Sequence, residues 1–154
     1  MRKLLTALLL TFATAVVAAT MPYDESADAP TQVRQALDQA RQRNVPTLII
    51  FGANWCEDCR ALDRSLHTPA NAALVDKSFV VVKVDVGNFD RNLALDATYG
   101  DPIKRGIPAA VIVSADNRVV YSTKAGELAD ARRMSDSGVY EFFKAAVESA
   151  HQAH

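Results

Sequence analysis

The chain has 154 residues, 49% of them hydrophobic, with 17 basic against 18 acidic side chains and a formal charge of −1. That length suits one domain. The basic residues are scattered along the chain, which argues against a nucleic-acid surface.

Met1-Arg2-Lys3 is a short basic start, and Leu4 to Val17 is apolar apart from Thr6, Thr11 and Thr14. Val17-Ala18-Ala19 offers small or β-branched residues at a cleavage point. This is the order of a secretory signal peptide, predicted over residues 1–19. The apolar run is short of the about 20 residues of a membrane span; an uncleaved anchor is the alternative. No cysteine stands at the cleavage point, which argues against a lipoprotein. Cleavage near Ala19 leaves 15 basic against 18 acidic residues, a formal −3, and a periplasmic or secreted product. Residues 20–30 are polar and read as a flexible leader, followed by one domain over 31–150 and a tail at 151–154.

Val33, Ala36, Leu37 and Ala40 lie at helical spacing within Thr31 to Arg43, with Thr31 as the expected N-cap. Asn44-Val45-Pro46 breaks that helix before Thr47-Leu48-Ile49-Ile50-Phe51, a buried strand. Trp55-Cys56-Glu57-Asp58-Cys59 follows, with the chain's two cysteines. A Cys-x-x-Cys pair after an apolar run is suited to thiol–disulfide exchange. Cys56 falls where strand turns into helix, among unpaired N–H groups whose dipole favours a thiolate. The thiolate is the reactive form, and such placement lowers a cysteine pKa from about 8.5 to about 7 or below. Cys59, one turn on, can attack a mixed disulfide on Cys56. A structural disulfide is the alternative, but so short a loop restrains the unfolded chain little.

Asp58 to His67 reads as the helix carrying Cys59, with Ala61, Leu62 and Leu66 on its apolar face. Pro69 interrupts it, and Ala70 to Lys77 is a further helical piece. Phe79 to Val86 is a second strand, Leu93 to Tyr99 a short helix, and Ala109 to Val113 a third strand. Asp116-Asn117 turns that strand into Arg118 to Ser122 as a hairpin. Ser135-Asp136-Ser137 can cap a last helix through Val139, Phe142, Phe143, Ala146 and Val147. Helices flanking a mixed central sheet are the natural packing of this order.

With these elements in place, the chain over residues 31–150 resembles the thioredoxin-like family. Trp55-Cys56-x-x-Cys59 after a hydrophobic strand matches that family's active-site motif, and Gly106-Ile107-Pro108 matches the loop holding its cis-proline. Lys83 stands where thioredoxin has a lysine below its active site, and Ala125-Gly126 resembles the segment lining its peptide groove. The resemblance implies an α/β thioredoxin fold, a central mixed β-sheet flanked by helices. It also implies a thiol–disulfide oxidoreductase acting on protein or peptide disulfides, with the Cys56–Cys59 pair as its redox centre. An exported pair of this kind implies a membrane electron donor of the DsbD type. A cis bond before Pro108 would turn the Ile107 backbone toward the cysteines and leave it free to pair with an extended substrate. Trp55 would shield Cys56 and offer a flat face to a partner.

Two departures from the family stand out. Ile50 occupies the position of thioredoxin's buried acid, which is proposed to take the proton of the second cysteine. Cys59 must then lose its proton to water, to Glu57 or Asp58, or to the incoming disulfide. Glu57-Asp58 also replaces the family's Gly-Pro, and two carboxylates beside Cys56 disfavour its thiolate. That shifts the balance toward a reductant. The same acids favour a helix N-terminus, which is an equal reason for their presence. A disulfide-forming oxidase, and a peptide-binding module with an inert disulfide, are the alternatives.

No phosphate loop or dinucleotide glycine pattern is present, so no cofactor beyond the disulfide is expected. Cys56, Cys59 and His67 make an incomplete zinc set, and His151 and His154 read as solvated, so no metal site is expected, copper delivery by the dithiol being the remaining alternative. Residues 87–104 are charged and longer than a minimal thioredoxin connection, and either carry partner specificity or are a solvated insertion. A monomer is favoured.

Overall fold

The computed structural model describes residues 21–152. The signal peptide read at residues 1–19 lies outside them. The elements run α1 (Ala29–Arg43), β1 (Thr47–Gly52), α2 (Glu57–Leu66), α3 (Pro69–Ser78), β2 (Val80–Asp85), α4 (Leu93–Thr98), β3 (Ala109–Val113), β4 (Val119–Ser122) and α5 (Asp136–Gln152). Short 3-10 turns occupy Pro102–Arg105 and Ala131–Arg133. No helix among the described residues is long and apolar enough to cross a membrane.

The strands form one mixed sheet in the order β2-β1-β3-β4. β1 runs parallel to β2 and antiparallel to β3, and β3 pairs antiparallel with β4. The parallel pair demands a long crossover, supplied by α2 and α3. All six residues of β1 are buried, as its unbroken apolar run requires of a central strand covered on both faces. Ile49 and Phe51 pack with Val33, Ala36, Leu37 and Ala40 of α1 on one face. Leu48 and Ile50 pack with Leu62, Leu66, Val75 and Phe143 on the other. Full burial of each such side chain stabilises by about 1.5–3 kcal/mol.

The start of the domain differs from the sequence reading. α1 begins at Ala29, and its cap is Asp28, whose carboxylate accepts from the Thr31 amide at 3.1 Å. Thr31 is therefore inside the first turn, after Pro30. A carboxylate answers the orphan N–H groups as well as a hydroxyl does, and proline at the helix start has no N–H to satisfy. The segment before it, read as a flexible leader, packs onto the domain. Tyr23 is only 4% exposed and joins the core that holds both cysteines. Its amide donates to Asn54 Oδ1 at 3.0 Å and its carbonyl accepts from Asn54 Nδ2 at 2.8 Å. This two-bond clamp ties residue 23 to the loop between β1 and α2.

Candidate functional site

β1 ends at Gly52, and Ala53-Asn54-Trp55 carries the chain to Cys56 at the start of α2. Cys56 takes an extended conformation and caps the helix, its Sγ accepting from the Cys59 amide at 3.1 Å. Helix geometry then sets Cys59 in the first turn, and the two sulfurs are joined as a disulfide with a Cα–Cα separation of 5.2 Å. Cys56 keeps 5% exposure against 1% for Cys59, so the cap residue is the sulfur that a partner can reach. The amide that caps on Cys56 Sγ is the donor that would hold a thiolate there once the pair is reduced.

The peptide bond between Ile107 and Pro108 is cis, and the Ile107 carbonyl oxygen lies 3.6 Å from Cys56 Sγ. Gly126 has φ +79° and packs against the Arg105 carbonyl, which places it beside the same loop. A Cβ on Gly126 would meet that oxygen at 2.7 Å, so only glycine permits the approach. Ala125 is exposed beside it.

Trp55 is 53% exposed and donates from Nε1 to the Gly87 carbonyl at 2.8 Å. Its ring meets that of Phe89 edge-on, with centroids 6.0 Å apart. The start of the 87–104 segment therefore reaches Trp55, through Gly87 and Phe89. Phe89 is itself exposed and sits at φ +62°, a left-handed conformation uncommon for a bulky side chain.

Glu57 and Asp58 do not stand as two free carboxylates beside Cys56. Arg132 donates from Nη1 to Glu57 Oε2 at 2.9 Å, and its Nε lies 3.8 Å from Asp58 Oδ1. The Arg132 amide also donates to Asp58 Oδ1 at 2.9 Å. One guanidinium thus offsets part of the negative charge that the dipeptide alone suggests. Replacing Arg132 by Ala should raise the Cys56 pKa by roughly half a unit, since exposed pairs are worth under about 1 kcal/mol and one unit is 1.36 kcal/mol. The ultraviolet absorbance of the thiolate, followed against pH in the reduced protein, reads that shift. An unchanged midpoint would show that the Arg132 pairs do not reach the sulfur.

Lys83, in β2, reaches beneath α2 and pairs with Asp63. Asp63 lies one turn beyond Cys59 on the same helix, a partner the sequence reading did not name. Ile50 is buried among Leu62 and Leu66, in a cluster separate from the one that holds Cys56 and Cys59. Asp85 is also buried, accepting from the Gly87 amide at 3.1 Å and pairing with Arg91 at 3.4 Å. His67 bonds the Asp63 carbonyl through Nδ1 at 2.7 Å. No cluster of three or more metal-ligating side chains occurs among the described residues.

The sequence reading named Cys56, Cys59, Trp55, Glu57, Asp58, Lys83, Ile107, Pro108, Ala125 and Gly126, and did not name Tyr23, Asn54, Asp63 and Arg132. The missed groups come from the leader, the turn before Cys56, the cysteine helix and a distant 3-10 turn.

Comparison with known proteins places this geometry. The model of a family described as "Thioredoxin-like" matches residues 28–115. The crystal structure of a disulphide isomerase from Xylella fastidiosa Temecula1 is 60% identical, covers 84% of this chain and 98% of its own, and superposes with a TM-score of 0.82. A thioredoxin from Thermus thermophilus shares the fold at 19% identity, covering 79% of this chain and 88% of its own, with a TM-score of 0.56. A DsbH oxidoreductase shares it at 16% identity, covering 93% and 95%, with a TM-score of 0.57. A comparison with curated proteins gave no match.

Proposed function

The chain belongs to the thioredoxin-like family and is a thiol–disulfide oxidoreductase, and from that premise we propose that it works as a reductant of protein disulfides. The observation that supports the exchange chemistry most is the Cys56–Cys59 disulfide, with Cys56 capping α2 beside the Ile107 carbonyl. The reduced Cys56 thiolate attacks one sulfur of a substrate disulfide. A mixed disulfide forms, and the other substrate sulfur leaves as a thiolate. Cys59 then attacks the Cys56 sulfur, closes the internal disulfide and releases the second substrate sulfur. The protein loses two electrons and the substrate gains them.

The direction rests on charge. Two carboxylates flank Cys56 on α2 and a single guanidinium answers them, leaving a net negative environment that disfavours the thiolate. A less stable reduced form makes a better electron donor. The order of residues 1–19 supports export to the periplasm or beyond, an oxidising setting in which the pair requires re-reduction, and a membrane donor of the DsbD type fits that need. Isomerisation is the second reading, favoured by the 60% identical disulphide isomerase. It uses the same first attack and then returns the disulfide to another pair in the substrate.

The reduction potential of the couple, measured by equilibration with glutathione or dithiothreitol buffers, separates these readings. A value near or below about −270 mV, that of thioredoxin, is expected. A value near −180 mV, about that of protein disulfide isomerase, favours the second reading. A value near −120 mV, about that of DsbA, makes the protein an oxidant and overturns the direction.

A further inference from the structure

Gly52 ends a strand otherwise built of Thr, Leu, Ile and Phe. A strand glycine often marks the close approach of another group. Here the space a side chain would fill holds two atoms. A Cβ on Gly52 would overlap the Tyr23 hydroxyl and lie 2.9 Å from Cys59 Sγ. The phenol and the buried sulfur therefore share one small site beneath the active-site turn. Ile50 packs in the other core cluster, with Leu62 and Leu66, and does not enter this site. Glu57 and Asp58 are turned to Arg132 and do not serve it.

Resting on the oxidoreductase reading, we infer that Tyr23 is a positioning residue for the resolving step: its hydroxyl donates a hydrogen bond to the Cys59 thiolate once the disulfide is opened. The segment ahead of α1 thus supplies a group that the thioredoxin-like core of this chain lacks. Tyr23 keeps its proton throughout. The proton of the Cys59 thiol passes to solvent, the thiolate forms the new bond to Cys56 Sγ, and the bond from Cys56 to the substrate sulfur breaks with its electron pair leaving on the substrate. Burial, with the nearby carboxylates of Asp63 and Asp85, holds the Tyr23 phenol well above its usual range. A phenol so held is a donor and not a base. The charged groups around it are Asp63 of α2, paired with Lys83 of β2, and Asp85 of β2, paired with Arg91. Tyr23→Phe leaves every one of them in place. The Asn54 clamp fixes the residue through its backbone, so that variant keeps the tether as well.

The test is the reaction of the fully reduced protein with dithiobis(nitrobenzoate) in stopped flow. The first thionitrobenzoate is released by Cys56 and the second by Cys59. Tyr23→Phe should leave the first phase unchanged and slow the second about tenfold at neutral pH, through a rise of about one unit in the Cys59 pKa. The deficit should vanish as pH rises through the new midpoint, which lost packing alone would not produce. Equal second phases across the pH range overturn the inference while leaving the oxidoreductase reading intact. Absence of both phases from the unsubstituted protein overturns that reading and this one with it. A second measurement needs no substitution: the Tyr23 Cζ carbon shift should titrate with Cys59 in the reduced protein and stay flat in the oxidised one. A flat profile in both states counts against the bond.

Discussion

Cys59→Ser is expected to turn the protein from a catalyst into a trap, cutting multiple-turnover insulin reduction at least about a hundredfold while mixed disulfides accumulate on Cys56. The two sulfurs are unequally placed. Cys56 caps α2 at the surface of the core, and Cys59 lies one turn in with 1% exposure. In the proposed mechanism Cys59 therefore acts within the molecule, on the Cys56 sulfur. Well-placed intramolecular groups act with effective molarities of about 10⁵ M or more. A millimolar external thiol cannot match that, and a mixed disulfide on Cys56 without Cys59 should persist for orders of magnitude longer. Non-reducing gels of cells expressing the variant should show slower-migrating species that dithiothreitol collapses. Cys56→Ser should show none. Equal trapping by both variants would mean that the roles are not divided as the geometry divides them.

What the sequence disclosed and what it hid follow from range. The strands at Thr47–Gly52, Val80–Asp85 and Ala109–Val113 are apolar runs rich in β-branched residues, and local pattern suffices to find them. The Cys56 turn is equally local, because the strand, the motif and the helix are contiguous. Arg132 is different. It lies 75 residues from Glu57, in a three-residue turn with no periodicity of its own. The dipeptide therefore reads as two uncompensated acids until the chain is folded. Asp63 was closer to hand: it follows Cys59 by four residues, a spacing that puts both on one side of a helix. Lys83 supplied the matching charge. Tyr23 was hidden by its neighbours, since Pro22, Asp24, Glu25 and Ser26 make the segment look like solvent-facing chain. Its one local signal was elsewhere, in the glycine that ends β1. The cap at Asp28 was missed for a smaller reason: aspartate and threonine both cap helices, and Pro30 between them fits either start.

That glycine carries the second large expectation. Gly52→Ala should destabilise the domain by about 1–3 kcal/mol, the usual cost of inserting a carbon into a filled core. At this size each kcal/mol lowers Tm by roughly 4 °C. The added methyl would overlap the Tyr23 hydroxyl, meet Tyr23 Cζ at 2.5 Å and Cys59 Sγ at 2.9 Å, and none of the three has an easy retreat. Cys59 is fixed by α2 and by its disulfide, and Tyr23 is buried and tied to Asn54 by two backbone bonds. The cost should therefore depend on Tyr23. Tyr23→Leu removes the atoms in nearest conflict while keeping an apolar side chain in the core. In that background Gly52→Ala should cost at least about 1 kcal/mol less than in the parent, a coupling of the size that residues in contact show. Denaturant unfolding of the four proteins measures it. Strict additivity would mean that the methyl is absorbed by movement of the Cys59 turn, and Gly52→Ala should then disturb the redox couple even where Tyr23 is absent. The glycine, the phenol and the resolving cysteine form one packed unit, in which stability and thiol chemistry depend on the same few atoms.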